Sequence, residues 1–286
     1  MNAEDLYFYN KNGYLIKKNL ISRSIIKKIN NKINDLIKKE SLKKNKSRKI
    51  FEYIKKRNSR YIVRLKDPHV QDKIFYSLSR NKNIISFVSS LLGGTVRFHH
   101  SKLNFKLPSK LGGIVHWHQD WSFYPHTNDD LLAVGIYLEE CNEMNGPLKV
   151  FAETHRKKLY DHHYKGSFIG RINPDIEELN PKKAISLTGP AGTVTFHHVR
   201  TIHGSGLNLT SNKRPLLIFG YAAIDAWPLT YDSGSSLDPN SNLQNYDKLI
   251  IKGSPTLYPR IKNVPIKIPL PRKSDSLYDL QKIKKK

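Results

Sequence analysis

Apolar residues Ile25, Ile26, Ile29, Ile33, Leu36 and Ile37 recur at three-to-four spacing with lysines between them, which predicts an amphipathic helix. Ser22 or Ser24 supplies its N-cap. A second helical stretch is expected over residues 70–92, with Ile74, Phe75, Leu78, Ile85, Val88, Leu91 and Leu92 as its apolar face. Gly93-Gly94 ends it, because glycine accepts the left-handed conformation of a C-cap. The first third of the chain therefore reads as mostly helical.

The pattern changes at Val96. Short strand-like runs follow at 96–107, 113–118, 131–138, 148–151, 185–187, 193–198 and 216–224, separated by turn signals. Asn145-Gly146 stands between two of them and predicts a hairpin. Many short strands with Gly and Pro turns give a mainly β fold with flanking helices, a sandwich or jelly roll. The last forty residues, with Pro265, Pro269 and Pro271, read as an extended arm over the surface, frayed at residues 284–286. The expected organisation is one domain over 1–286: a helical layer (1–95), a β core (96–228) and a C-terminal arm (229–286).

Composition alters this picture in one respect. The 286 residues carry 49 Lys+Arg against 24 Asp+Glu, a formal charge of +25. Residues 1–66 hold +15 and residues 248–286 hold +9, which leaves the middle at +1. The excess lies in the flanks. It suits solvated surface or an anionic partner, such as a phosphorylated or CoA-linked substrate. No zinc finger, aromatic ribonucleoprotein motif or Gly-rich phosphate loop accompanies the lysines, so no nucleic-acid partner is expected. The single Cys141 excludes a disulfide framework. The longest apolar runs are too short to span a bilayer. Residues 1–13 carry Glu4 and Asp5 and no apolar leader core, so the expected compartment is the cytosol.

The chemistry concentrates in the histidines of the β half. In His118-Gln119-Asp120, an imidazole and a carboxylate two residues apart on a strand aim at one point and offer two ligands to a divalent metal. A third ligand must come from elsewhere. A histidine there would complete a 2-His-1-carboxylate triad, the arrangement that leaves open positions on Fe(II). The downstream segment TVTFHHVRTIHGSGLNLTSNKR carries His203, Ser205 and, eleven residues after His203, Arg214. An arginine fork near a metal suits a bidentate anionic co-substrate. Gly204 and Gly206 would let the chain pass close to a ligand. His197 and His198 alternate on one strand, so one of them faces inward. His116, His155, Trp117, Trp121, Phe123 and Tyr124 read as structural, and Asn128, Asp129 and Asp130 as a cap or loop.

These residues, with HWHQDWSFYPHTNDDLLAVGIYLEE, NGPLKVFAETHR and HHVRTIHGSGLNLTSNKRPL around them, resemble the phytanoyl-CoA dioxygenase family over roughly residues 96–228. The resemblance implies a double-stranded β-helix of cupin type and an Fe(II)- and 2-oxoglutarate-dependent oxygenase acting with O2. It makes His118, Asp120 and His203 the iron ligands. Arg214 would bind the distal carboxylate of 2-oxoglutarate with help from Ser205, and Lys106 would reach the co-substrate's other end or the substrate. The family often carries an aromatic residue sixteen positions after the metal Asp, where this chain has Ile136. Halogenating relatives lack the carboxylate, so Asp120 implies hydroxylation. The substrate classes implied are acyl-CoA thioesters, amino-acid derivatives and secondary metabolites. Two other readings are a metal-binding cupin-like protein without oxygenase activity, and a basic RNA- or membrane-associating protein with incidental histidines.

Overall fold

The computed structural model of the chain describes residues 1–42, 50–56, 58–176, 178–230, 247–274 and 276–282. Its helices are α1 (Ala3–Asn12), α2 (Arg23–Ser41), α3 (Pro68–Gln71), α4 (Lys73–Ser79), α5 (Lys82–Leu91) and α6 (Leu277–Leu280). Its strands are β1 (Tyr14–Lys17), β2 (Phe51–Lys56), β3 (Ser59–Lys66), β4 (Val96–Lys106), β5 (Val115–His118), β6 (Leu131–Tyr137), β7 (Leu148–Val150), β8 (His163–Tyr164), β9 (Ser167–Phe168), β10 (Ile185–Leu187), β11 (Val194–His198), β12 (His203–Ser205), β13 (Arg214–Ala222) and β14 (Ile250–Lys252).

Eight strands form one large sheet in the order β1-β11-β6-β13-β4-β3-β2, with β14 against β4. A smaller sheet runs β10-β7-β12-β5, and β8 and β9 form a separate pair. The two larger sheets are the halves of a jelly roll, and one cavity is lined from both.

Period-two alternation decides what each face does. Along β11, Val194 and Phe196 point away from the cavity while Thr195 and His197 point to the other side. Along β13, Leu217 and Phe219 face outward, and Arg214, Leu216 and Ile218 line the cavity. The outward face is covered by helices. Ile26, Ile29 and Ile33 of α2 share a buried cluster with Val194, Leu217 and Phe219, and Phe87 of α5 stacks on Phe196 at 5.3 Å between ring centroids. At about 1.5–3 kcal/mol per fully buried large side chain, this layer is a major source of the fold's stability. Ser22 caps α2 by accepting from the Ile25 amide, and Lys38 and Lys39 stand in its last turn, where they favour the helix dipole.

Several expectations change. The stretch 70–92 is three helices, because Asp72 and Asn81 each cap a new one through a side-chain oxygen. The first third is mostly helical as expected, but it also holds β1 and the β2–β3 hairpin. Asn145-Gly146 makes no hairpin, because β6 and β7 belong to different sheets. Asn145 instead closes a capping box with Asn142, and Gly146 ends that turn at φ 71°. The C-terminal segment is more than a surface arm: α6 docks over the cavity, with Leu277 and Tyr278 in its lining. Residues 284–286 lie outside the described residues. Among those described, no helix is long and apolar enough to cross a membrane.

Candidate active site

Strand register brings the two key histidines together. His203, the first residue of β12, is the antiparallel partner of His118, the last residue of β5, and their ring centroids lie 4.1 Å apart. Asp120 opens the short 3-10 turn after β5. Gln119 between them stays extended and is pinned: its amide donates to His162 Nε2, its Nε2 to the Arg200 carbonyl, and its Oε1 accepts from the Tyr160 amide. The turn is therefore fixed on both sides, and the Asp120 carboxylate points back at the histidines. Asp120 Oδ1 lies 3.8 Å from His118 Nε2 and 3.8 Å from His203 Nε2.

His118, Asp120 and His203 are all buried, and one ligand atom from each lies within 4.8 Å of the others. Donors about 2.1 Å from a common ion stand at most about 4.2 Å apart, so the two 3.8 Å separations suit one ion. The tautomers suit it too. His118 Nδ1 lies 2.7 Å from the His116 carbonyl and His203 Nδ1 lies 2.9 Å from the Thr201 carbonyl. Each Nδ1–H donates to backbone, which leaves each Nε2 lone pair facing Asp120. Burial pushes both imidazoles below the usual range, so they are neutral ligands. Burial alone would raise the Asp120 carboxyl, but His203 and its other neighbours carry it well below the usual carboxylate range. Two neutral imidazoles and one carboxylate make a donor set that fits Fe(II).

The opposite pole of the cavity is cationic. Arg214 and Lys106 are cross-strand partners on β13 and β4, and both are buried. Arg214 Nε donates to the Asn145 carbonyl at 3.2 Å and Nη2 to the Gly146 carbonyl at 2.7 Å, while Nη1 has no partner. Lys106 Nζ donates to Ser205 Oγ at 2.6 Å and to the Ser205 carbonyl at 3.2 Å. Burial, with Arg214 beside it, lowers the Lys106 ammonium from 10.5 to about 7. The cavity thus carries a metal-binding group and two buried cations, with Lys102 as a third basic group in its lining.

All six residues singled out from the sequence (His118, Asp120, His203, Ser205, Arg214 and Lys106) line this one cavity. His197 is the inward member of its histidine pair. His116, His155, His198 and Trp121 stand outside the lining, and Trp121 donates to the Pro265 carbonyl. Asp129 and Asp130 pair with Arg200, Arg260 and Lys262. Ile136 packs into the helix-side core, so its aliphatic side chain has no bearing on the cavity. Gly204 is required for a different contact than expected: a Cβ there would meet the Val115 carbonyl at 2.8 Å and the Trp117 ring at 2.9 Å. Sequence reasoning missed Lys102, Asn104, Ala133, Gly135, Leu277 and Tyr278. The alternation of β4 and β6 could have revealed the first four, but α6 left no periodic signal.

Residues 9–216 match the family model described as phytanoyl-CoA dioxygenase. The chain is 42% identical over 226 residues to a probable alpha-ketoglutarate-dependent hypophosphite dioxygenase of Stutzerimonas stutzeri, covering 77% of this chain and 75% of that protein. Its fold is similar to the crystal structure of EctD from S. alaskensis with bound Fe, with TM-score 0.65 and 21% identity over 78% of this chain and 77% of that one. It is similar also to EctD with 2-oxoglutarate and 5-hydroxyectoine, with TM-score 0.65 and 20% identity over 96% and 89%. The chain belongs to the phytanoyl-CoA dioxygenase family of iron- and 2-oxoglutarate-dependent dioxygenases.

Proposed function

We propose that this enzyme hydroxylates a small anion, with hypophosphite as the first candidate, and that His118, Asp120 and His203 hold its iron while Arg214, Lys106 and Ser205 hold 2-oxoglutarate. The observation that carries this reading is the joint occupancy of one small cavity by a neutral-neutral-anionic donor set and a buried pair of cations. Bound Fe(II) would supply the redox chemistry that activates O2 against the co-substrate.

The chain's own residues do the rest. The His116 and Thr201 carbonyls lock the tautomers of His118 and His203. Asp120 brings one negative charge to the ion. Arg214 is itself oriented by two backbone carbonyls, and its unpartnered Nη1 is left to donate to a carboxylate. Lys106 adds a second donor, and a bound carboxylate favours its charged form. Leu277 and Tyr278 close the cavity and exclude water.

The small-anion reading rests on the 42% identity to the hypophosphite dioxygenase and on the cationic lining of the cavity. We read the whole chain, 1–286, as one oxygenase domain, because the C-terminal helix completes the cavity that the β core begins.

The reaction balances: hypophosphite, 2-oxoglutarate and O2 give phosphite, succinate and CO2, with one oxygen atom entering each oxidised product. The test is aerobic turnover of the Fe(II)-loaded chain, with phosphite followed by phosphorus NMR and succinate by chromatography. The reading expects equal amounts of both. Succinate without phosphite refutes the substrate, and the absence of both refutes the enzyme.

A further inference from the structure

Among the buried histidines described, His197 alone has both ring nitrogens without a hydrogen-bond partner. The others are anchored: His118 and His203 on backbone carbonyls, His126 on the Tyr124 carbonyl, His99 on His100. His197 is only 5% exposed. It lines the cavity beside the metal-binding group, its ring centroid 4.4 Å from that of His203. Its Nε2 lies 3.6 Å from Asp120 Oδ2, beyond hydrogen-bond reach.

The neighbouring strand leaves the imidazole uncovered. The register partner of His197 on β6 is Ala133, and the next residue on that face is Gly135. A buried imidazole with neither nitrogen satisfied is costly, and groups of this kind are rare outside functional sites. The acceptor it lacks belongs to whatever occupies the cavity beside Ala133. Beyond Asp120, the charged side chains of the cavity are all cationic donors, Lys102, Lys106 and Arg214. The complementary ligand is small and rich in acceptor oxygens.

We propose that His197 is the substrate-binding donor of this site, and that it hydrogen-bonds an oxygen of a small oxyanion whose oxidisable X–H bond faces His118, Asp120 and His203. The proposal rests on the dioxygenase reading above. One ring N–H donates to the substrate. It sits within a few ångströms of the metal-binding atoms, so it fixes which atom of a small ligand meets the oxidant.

The experiment uses the full chain loaded with Fe(II), with hypophosphite as the probe. His197→Phe keeps a ring and removes both nitrogens, and His197→Gln restores a donor. In His197→Phe the KM for hypophosphite should rise at least about tenfold, the loss of one hydrogen bond to a charged ligand. The anaerobic Fe(II)–2-oxoglutarate absorption band and its titration midpoints should match wild type. His197→Gln should recover part of the KM and serves as the test if the Phe variant does not fold. A KM within twofold of wild type in both variants overturns the proposal. So does a loss of Fe(II) affinity at unchanged KM, which would make His197 a positioning residue for Asp120. Wild type that shows the band but no hypophosphite-dependent succinate overturns the oxyanion assignment and leaves the iron and 2-oxoglutarate reading standing. Wild type without the band overturns that underlying reading.

Discussion

Lys106 gives the account a pH dependence that can be worked through. Burial and the nearby Arg214 guanidinium lower its ammonium from 10.5 to about 7. At 1.36 kcal/mol per unit, charging this lysine in the empty cavity costs roughly 5 kcal/mol more than in water. A carboxylate arriving between Lys106 and Arg214 offsets that cost, so it binds best to the protonated lysine. The sign follows: the charged form prevails below pH 7 and is lost as pH rises through 7. At pH 8.5 about 3% of the lysine remains charged, so 2-oxoglutarate should bind about 30-fold more weakly than at pH 6. The co-substrate is a dianion throughout, and the tyrosines of this region, Tyr137 and Tyr278, are raised out of the window. The assay is anaerobic titration of the Fe(II)-loaded protein with 2-oxoglutarate at pH 6, 7 and 8.5. Lys106→Met should bind weakly at all three and show no slope. Dissociation constants within twofold across the window, or the same slope in Lys106→Met, would refute the reasoning.

Arg214→Met removes a charge-assisted donor worth about 1.5–3 kcal/mol, so the KM for 2-oxoglutarate should rise about 10- to 150-fold, and steady-state kinetics showing a smaller change would count against the assigned role. Gly220→Ala places a Cβ 2.5 Å from the His100 ring, which is wedged against His99 and Tyr124. Overpacking of this kind costs about 1–3 kcal/mol, so the melting temperature should fall by several degrees, and an unchanged melt would contradict the packing described. Gln281→Ala removes the two bonds that tie the α6 end to the His116 amide and the Gly170 carbonyl. Succinate should then exceed phosphite, because the cavity opens to water; equal yields, as in wild type, would show that α6 is not the closure.

The site was more legible in the sequence than the fold around it. His118 and Asp120 are legible as a local His-x-Asp pair and His203 through the family resemblance, but Asp120 reaches the site from the 3-10 turn after β5 and not, as expected, from the strand itself. Arg214 follows from its place eleven residues after His203, whereas Lys106 was legible only through the family resemblance. Longer-range features were hidden. The β2–β3 hairpin carries Lys55, Lys56 and Arg60 on a half-exposed edge, and that density of charge masks its alternation. The break at Asp72 looks like any polar residue on a helix face until its side chain is seen capping Ile74. The role of α6 depends on where the chain docks, and four residues give no period to read. The +25 charge sits largely in the flanking segments. The cavity's own cations, Lys102, Lys106 and Arg214, belong to the segment whose net charge is only +1.

The central claim is that His118, Asp120 and His203 hold an iron that 2-oxoglutarate chelates from the Arg214 side. Its most direct test is an anaerobic titration of the full chain with Fe(II) and 2-oxoglutarate, followed by visible absorption. The account predicts a weak charge-transfer band that saturates at one iron per chain and is absent in His118→Ala. A wild-type protein without the band, or a His118→Ala protein that retains it, would contradict the account.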